Sequence, residues 1–221
     1  MDLPGIAYKT YQQWKSHPLL SNFFLSVLKK LNLQKNPIER ARQFHSLVDD
    51  SIENLFEHDL VSRSISCKVG CSGCCHTPVS VTSDEAQLLA KRVRDGAPIS
   101  LTDLKRQAAS ASSSLNFFAL SYKNRKCVFL SENGKCSVYE DRPAVCRSNF
   151  VIGNPAQCDT SDGKEKPVRL LQTIKADLVI VAGYKSCGKA GLLPKMLYEA
   201  LNKESQISPL LLVSKNTFTK N

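Results

Sequence analysis

Apolar side chains in the first sixty residues recur at the spacing of α-helices. Within residues 11–33 they form one face, and Asn36-Pro37 then resembles a helix cap followed by proline at the first helical position. The first face consists of Phe23, Phe24, Val27, Leu28 and Leu31. The second consists of Ile38, Ala41, Phe44, Leu47, Val48, Ile52, Leu55 and Phe56. The pattern predicts a helical hairpin over residues 1–60 that packs on the rest of the chain or on a protein partner.

Helical signals continue, more widely spaced, after residue 61. Ser83 is the predicted N-cap of a helix that ends at Gly96, and a second helix begins near Thr102. Residues 167–184 predict another helix that starts at a proline, and residues 193–201 predict a last short one. We therefore divide the chain into an N-terminal extension, a cysteine-containing domain and a C-terminal tail. Their ranges are 1–60, 61–195 and 196–221.

The segment 127–158 has few helical signals. Asn133-Gly134 is a tight-turn signal between two short extended runs, which predicts a small irregular β-hairpin near residues 127–139. Structureless loops of this length are unusual in a compact domain unless something holds them. The predicted fold class is therefore mainly α, with long metal-stabilised loops and this one small hairpin.

Composition places the chain among ordinary water-soluble proteins, with 42% hydrophobic and 23% charged residues. The longest apolar runs, 178–182 and 210–213, are too short to span a bilayer. The first residues lack the layout of a secretory signal. We therefore predict a cytoplasmic protein with no membrane association. In that reducing compartment, clustered cysteines indicate metal or redox chemistry more often than disulfides.

Positive charge is concentrated in the part of the chain that contains the cysteines. The net charge is +10, yet residues 1–60 carry seven basic and seven acidic side chains. Residues 61–221 carry the whole excess and all nine cysteines. Two interpretations stay open and are compatible with each other. In the first, the excess Lys and Arg side chains form a solvated surface with affinity for nucleic acid or an acidic protein. In the second, their positive charge offsets the negative charge of metal-bound thiolates.

Four cysteines crowd into the run CKVGCSGCC at residues 67–75. Gly70 and Gly73 allow the backbone to turn, so that nearby sulfurs can converge on one ion. The adjacent pair Cys74 and Cys75 is harder to place, because neighbouring side chains in an extended backbone point to opposite faces. The two sulfurs would more easily serve different metals, or one of them is not a ligand. The other five cysteines are Cys127, Cys136, Cys146, Cys158 and Cys187.

Other uses of these cysteines are less favoured by their surroundings. A thioredoxin-like dithiol at Cys71 and Cys74 would follow a strand and open a helix, whereas Gly73 and Pro78 do not offer that context. Radical S-adenosylmethionine enzymes use the same C-x3-C-x2-C spacing, but they need a run of βα units after it. Buried, inert cysteines are also a weaker interpretation of so dense a cluster.

The cysteine loop, Cys127 and the run GKCSVYEDRPAVCR at residues 134–147 together resemble the YkgJ-type cysteine-cluster family, described as zinc- or iron-chelating. The resemblance covers about residues 67–191 and leaves out 1–60. One branch of the family has a further cysteine after the Cys-Arg pair, which is Cys146-Arg147 here, and Cys158 matches it. Many members have a C-P-G-x-G sequence near the end of the motif, which Cys187-Gly188 resembles without the proline. Another branch resembles flagellin lysine N-methylases, which are associated with an iron–sulfur cluster. The resemblance therefore implies a metal-chelating domain.

Several polar residues around this motif have more than one interpretation. Arg142 and Arg147 either donate hydrogen bonds to thiolates or Glu140, or form surface ion pairs. Tyr139 is predicted to lie in the core. His76 is predicted to be a turn residue rather than a ligand. The remaining histidines, to which the sequence assigns no role, are His17, His45 and His58.

The leading prediction is a cytoplasmic protein that holds an iron–sulfur cluster, in particular [4Fe–4S], or zinc. An iron–sulfur cluster is preferred, because the donor set is soft and nearly all cysteine. The predicted ligands are Cys67, Cys71, Cys74, Cys75, Cys127, Cys136, Cys146, Cys158 and Cys187. No catalytic residue is assigned. The alternatives are a redox or N-methylase-like enzyme, and a zinc-stabilised interaction module for nucleic acid or an acidic protein.

Overall fold

The computed structural model describes residues 3–68, 70–164 and 166–214. It is 62% helical, which confirms the mainly α fold class. In the described ranges the helices are α1 (Gly5–Trp14), α2 (Pro18–Leu33), α3 (Pro37–Phe56), α4 (Asp59–Ser64), α5 (Ser83–Arg94), α6 (Leu101–Ser110), α7 (Ser114–Phe118), α8 (Ala144–Arg147), α9 (Ile174–Cys187) and α10 (Leu193–Ser214). Strands β1 (Ser80–Thr82) and β2 (Ala190–Leu192) form a two-stranded antiparallel sheet. None of these helices combines the length and the apolar character that a bilayer crossing requires.

The N-terminal helices pack around α9 in the first of two hydrophobic cores. Residues 176–184 of α9 are all buried and mostly apolar, and the buried Asp177 among them accepts a hydrogen bond from the Thr10 hydroxyl at 2.7 Å. Phe24 and Leu31 of α2 and Phe44 and Val48 of α3 pack against α9. The helices of residues 1–60 therefore share a core with a helix far along the chain. The domain boundaries at 60 and 195 stay predictions.

Helix starts in this region follow the sequence closely. The side chain of Asn36 accepts hydrogen bonds from the backbone N–H groups of Ile38, at 2.9 Å, and Glu39, at 3.2 Å, so the predicted cap is confirmed. The helical pattern of 11–33 is interrupted between Trp14 and Pro18. Proline has no N–H to continue the hydrogen-bond ladder, so it begins a new helix instead.

The predicted N-cap of α5 was wrong by one residue. Thr82, rather than Ser83, is the N-cap, and its hydroxyl accepts from the Glu85 N–H at 3.2 Å. The Glu85 carboxylate accepts in turn from the Thr82 N–H at 2.8 Å. The strand β1 ends at Thr82, so the chain enters the helix there in the extended conformation that this capping box requires.

Two later helices also differ from their predicted ranges. The helix predicted from Pro167 begins at Ile174, because residues 169–171 instead bond to residues 150–152. The Ile152 N–H donates to the Arg169 carbonyl and the Leu171 N–H to the Phe150 carbonyl, both at 2.8 Å. The last helix, α10, extends to Ser214 rather than ending at residue 201.

A second core joins the cysteine region to the C-terminal helix. Its buried members are Val81, Ala86, Leu89, Ala90, Leu104, Phe129, Val138, Leu193, Met196 and Leu197. The small hairpin of residues 127–139 lies at its edge, where Leu130 pairs with Cys136 and Gly134 turns with φ of 76°. The strand β1 pairs with β2, Val81 opposite Gly191, and so connects this core to the end of α9.

Gly183 marks the closest approach between α9 and α3. A β carbon at residue 183 would lie 2.5 Å from a ring carbon of Phe44. We expect Gly183→Ala to lower the free energy of unfolding by about 1–3 kcal/mol, because a tightly packed core has no room for the extra group. Urea denaturation checks this result. Gly5→Ala, which meets nothing within 4 Å, is the neutral control. Equal stability of the two variants would contradict this packing.

Candidate metal centre

The loop of the first four cysteines lies between α4 and β1. Gly70 has φ of 87°, a conformation that other residues rarely adopt, so the turn predicted at this glycine is present. The Cys71 N–H donates to the Lys68 carbonyl at 2.9 Å. Residues 73–76 then form a 3₁₀ turn that carries both Cys74 and Cys75. The pair therefore lies on a tight turn rather than on an extended backbone.

The segment after α8 closes over the start of this loop. The Ser66 N–H donates to the Val151 carbonyl at 2.8 Å. The Cys67 sulfur accepts from the Val151 N–H at 3.3 Å and lies 3.9 Å from the Asn149 carbonyl. The side chain of Asn149 also forms a hydrogen bond to Cys74. Asn149 and Val151 therefore fix the positions of two sulfurs that come from another part of the chain.

Cys158 packs directly on Gly73. It ends a 3₁₀ turn, residues 155–158, whose start is capped by the Asn154 side chain. A β carbon at residue 73 would lie 2.8 Å from the Cβ of Cys158 and 3.3 Å from its carbonyl oxygen. Glycine at this position thus allows the last cysteine of the matched motif to reach the first loop.

We expect Gly73→Ala to push Cys158 away from the loop. If Cys158 is a ligand, the affinity for Zn²⁺ should fall by about 10-fold to 100-fold, the range typical when the support of a metal ligand is disturbed. Competition with a chromophoric chelator measures this change. Ser72→Ala, in the same loop, is the control and should bind as the wild type does. Unchanged affinity in Gly73→Ala would show that Cys158 does not need this contact.

Cys127 joins the first loop through its backbone. Its N–H donates to the Cys75 carbonyl at 2.8 Å. The backbone N–H groups of Phe129 and Leu130 bond to its sulfur, and the Val138 N–H bonds to the sulfur of Cys136. Hydrogen bonds of this kind favour the charged thiolate, which is the form that ligates metal.

The thiols influence one another strongly. Burial, together with the nearby thiols of Cys136 and Cys74, raises the pKa of Cys127 to about 11. Burial and the thiols of Cys127, Cys74 and Cys136 raise the pKa of Cys146 well above its ordinary value. The thiol of Cys75 donates a hydrogen bond to Cys74, which lowers the pKa of Cys74 to about 6 and raises that of Cys75. So many thiolates can ionise together only if a cation offsets their charge.

All nine thiols are free, so no disulfide ties the loops together. Among the described residues, no three His, Cys, Asp or Glu side chains converge closely enough to hold one ion. The donor chemistry fits a metal, because soft sulfurs from distant segments are gathered and hydrogen-bonded. Their side chains would have to close further around an ion.

Cys187 lies elsewhere. It ends α9, and its sulfur is 3.1 Å from the Ser83 hydroxyl and 3.5 Å from the Lys189 carbonyl. The hydrogen bond to Asp84 raises the pKa of Arg40, on α3, and the charge of Cys187 adds a smaller effect in the same direction. The contacts of this sulfur are therefore at the start of α5, and its predicted role as a ligand stays a prediction.

The two arginines of the motif do not bond to sulfur as first considered. Arg147 is buried and donates to the Arg142 carbonyl at 2.9 Å, to the Glu140 carbonyl and to Asp49 of α3. The guanidinium carbon of Arg142 lies 3.8 Å from the centre of the Tyr139 ring. Burial raises the pKa of Cys136, and the positive charge of Arg142 partly offsets that effect. The prediction that Tyr139 is a core residue was wrong, because it is 58% exposed.

Sequence reasoning missed a buried hydrogen-bond network behind Cys146. Glu85 is fully buried and accepts from His45 Nε2 at 3.1 Å, from the Thr82 hydroxyl at 3.0 Å and from the Ala144 N–H at 2.8 Å. The other ring nitrogen of His45 lies 3.4 Å from Arg147. A guanidinium only donates, so this nitrogen accepts and Nε2 donates to Glu85. The position of His45 on the apolar face of α3 was the available signal.

Arg125 was missed for a different reason. It is fully buried and donates to the His76 carbonyl at 3.2 Å and to the hydroxyl and carbonyl oxygens of Thr160 at 3.1 and 2.5 Å. The ring of His76 stacks on Tyr122 with centroids 4.1 Å apart. Arg125 thus ties the first cysteine loop to the segment after Cys158. Its partners are mostly backbone carbonyls, which no sequence pattern marks.

Comparison with known proteins agrees with this arrangement. Residues 66–167 match the model of the CxxCxxCC family, whose description is "Putative zinc- or iron-chelating domain". The matched segment contains eight of the nine cysteines and excludes Cys187. No curated protein and no solved structure matches the chain. The family resemblance that the cysteine motif indicated is therefore confirmed over residues 66–167, which match the model of this family of zinc- or iron-chelating domains.

Proposed function

We propose that this protein holds an iron–sulfur centre through the eight cysteines of its family domain. These are Cys67, Cys71, Cys74, Cys75, Cys127, Cys136, Cys146 and Cys158. One observation carries the proposal, namely that distant segments carrying free thiols meet at the turn of residues 73–76. Cys127 bonds through its backbone to Cys75, and Cys158 packs on Gly73.

The choice of metal follows from the donor set. Thiolates are soft ligands that select zinc, Cu(I) or iron–sulfur clusters over hard cations. The charged groups that shift the pKa values of Cys75 and Cys146 are mainly other cysteines. The ring of the neighbouring His76 stacks on Tyr122. A crowded, all-sulfur set suits an iron–sulfur cluster better than a single tetrahedral zinc ion. When bound, such a cluster supplies one-electron transfer.

The protein's own residues have supporting roles in this proposal. Backbone N–H groups of residues 129, 130, 138 and 151 hydrogen-bond to sulfurs and stabilise their charge. The cation of Arg142 near Cys136 acts in the same direction. Hydrogen bonds and nearby charge are among the features that set the potential of a cluster.

Anaerobic purification with iron, sulfide and zinc analysis tests the proposal. We expect a brown protein with iron and acid-labile sulfide and a broad absorption band near about 400 nm. Cys187→Ser should keep the same iron content, whereas Cys146→Ser should lose about half of it or more. Stoichiometric zinc without iron would contradict the iron–sulfur assignment and keep the thiolate centre. No metal at all would overturn both.

A protein partner and a cytoplasmic location belong to the same proposal. Outside the family domain, α2 leaves Leu19, Leu25 and Leu33 between 55% and 75% exposed. Such exposed apolar side chains favour a protein partner that contacts the N-terminal helices. Crosslinking of the full-length protein from an anaerobic cell extract, compared with a Leu19→Ser/Leu25→Ser variant, tests this point. A crosslinked partner that the variant retains would contradict it.

A further inference from the structure

The eight cysteines of the family domain separate into two groups of four. The first group is Cys67, Cys71, Cys74 and Cys158. The second group is Cys75, Cys127, Cys136 and Cys146. Each group is defined by the segments that meet around it, and the two groups meet at one dipeptide.

The first group is assembled by the segment that follows α8. The backbone around Cys67 bonds to Val151, and the sulfur of Cys67 accepts from the Val151 N–H at 3.3 Å. Gly73 touches Cys158, which brings the turn of residues 155–158 against the turn of residues 73–76. With the hydrogen bond between Asn149 and Cys74, these contacts bring residues 149–158 against Cys67 and Cys74.

The second group is assembled by the small hairpin. The N–H of Cys127 donates to the Cys75 carbonyl at 2.8 Å, so the hairpin begins against Cys75. Leu130 then pairs with Cys136, and the Ser137 N–H donates to the Phe129 carbonyl at 2.8 Å. Cys146 follows in α8, the first residue of which is held by Glu85.

The charges of the thiols act on one another within each group, and Cys74 acts on thiols of both groups. In the first group, the charges of Cys71 and Cys74 act on Cys67, and those of Cys74, Cys71 and Cys67 act on Cys158. In the second group, the charges of Cys127 and Cys146 act on Cys75, and those of Cys127 and Cys136 act on Cys146. The influences that cross between the groups involve Cys74, which also acts on its neighbour Cys75 and on Cys127 and Cys146.

We propose that the domain holds two metal centres, one in each group, and that they adjoin at the Cys74–Cys75 dipeptide. This inference rests on the proposed thiolate centre and adds its number and its ligand sets. Four thiolates complete a tetrahedral zinc site or a cubane cluster, so neither group needs a ligand from the other. Consecutive side chains on a 3₁₀ turn are rotated by about 120°, which lets the adjacent sulfurs serve different centres.

The test is native mass spectrometry of the full-length, reduced protein reconstituted with Cd²⁺ in the presence of EDTA. Cadmium is a soft ion that binds thiolates, and EDTA removes ions held by an incomplete set. The wild type should bind two ions. Cys158→Ala and Cys67→Ala should each bind one, as should Cys136→Ala and Cys127→Ala. A double variant within one group should still bind one ion, whereas Cys158→Ala/Cys136→Ala should bind none.

The outcomes separate this inference from the proposed function. A wild type that binds no Cd²⁺ would overturn the thiolate centre itself. A wild type that binds Cd²⁺, but loses all of it through any single substitution in either group, would have one indivisible centre and would overturn only the division. Circular dichroism checks that each variant keeps its helices. The exposed Cys71 provides an additional first-group variant if Cys67→Ala unfolds.

Discussion

Removal of the metal from the full-length protein is expected to release residues 119–173 while the helices around α9 stay folded. This segment contains little regular structure besides short turns and α8, and it carries four of the eight cysteines. Metal binding in such sites is coupled to folding, and structural zinc contributes about 10–16 kcal/mol in small domains. In contrast, α1, α2, α3 and α9 have their own hydrophobic core.

Hydrogen–deuterium exchange measures this difference region by region. We expect protection in residues 119–173 to fall by about 100-fold on metal removal, which corresponds to about 2.7 kcal/mol. Protection of residues 176–184 should change little. Cys146→Ala should lower protection around residues 127–147 without a chelator, and Cys187→Ala should not. Equal protection of residues 119–173 with and without metal would show that hydrogen bonds alone hold these loops.

Glu85→Ala is expected to lower the free energy of unfolding by about 3–5 kcal/mol, because each buried donor that loses its acceptor costs about 1–3 kcal/mol. The substitution leaves His45 and the N–H of Ala144 without their acceptor inside the protein. It also removes half of the capping box that begins α5. Because Ala144 begins the helix that carries Cys146, metal affinity should fall as well.

A surface glutamate provides the matched control for this variant. Glu39 pairs with Arg42 on α3, and both side chains are about half exposed. Glu39→Ala should change stability by less than about 1 kcal/mol, as is usual for exposed ion pairs. Urea denaturation of both variants, with metal bound, gives the comparison. Losses of the same size in both would mean that the Glu85 network contributes no more than a surface pair.

The same carboxylate predicts acid sensitivity. Burial raises the pKa of Glu85, but hydrogen bonds from His45, Ala144 and Thr82 outweigh that effect, so its pKa is lowered in the folded protein. A lowered folded-state pKa means that its stabilisation is complete above the unfolded value, about 4.3, and is lost as the pH falls below it. Unfolding free energy should therefore decrease below about pH 4.3, and less steeply in Glu85→Gln. Parallel pH profiles of the two proteins would contradict this origin.

Local sequence signals predicted much of the fold because they depend on near neighbours. The Asn36 cap bonds to residues two and three positions away, and the turn at Gly134 needs only its own positive φ. The start of α9 was misplaced because its preceding segment pairs with residues 150–152, which are distant in sequence. The start of α9 therefore depends on a distant partner segment that no local pattern reveals.

The candidate site follows the same rule. Spacing alone indicated a cluster at Cys67–Cys75, and glycine at 70 was correctly associated with a turn. The contact between Gly73 and Cys158 joins segments that the sequence separates, so it required the fold. Glu85 lies in the first turn of α5, where acidic residues are common and usually exposed. Glu85 is buried against His45 because α3 packs on α5. No pattern in the sequence predicted that these two helices are neighbours.

X-ray absorption spectroscopy of the anaerobically purified protein tests most directly whether clustered thiolates hold a metal. We expect an iron edge whose nearest shell contains only sulfur, at distances typical of iron–sulfur clusters, with an iron–iron shell beyond it. A first shell dominated by nitrogen or oxygen, on iron or on any other bound metal, would contradict it.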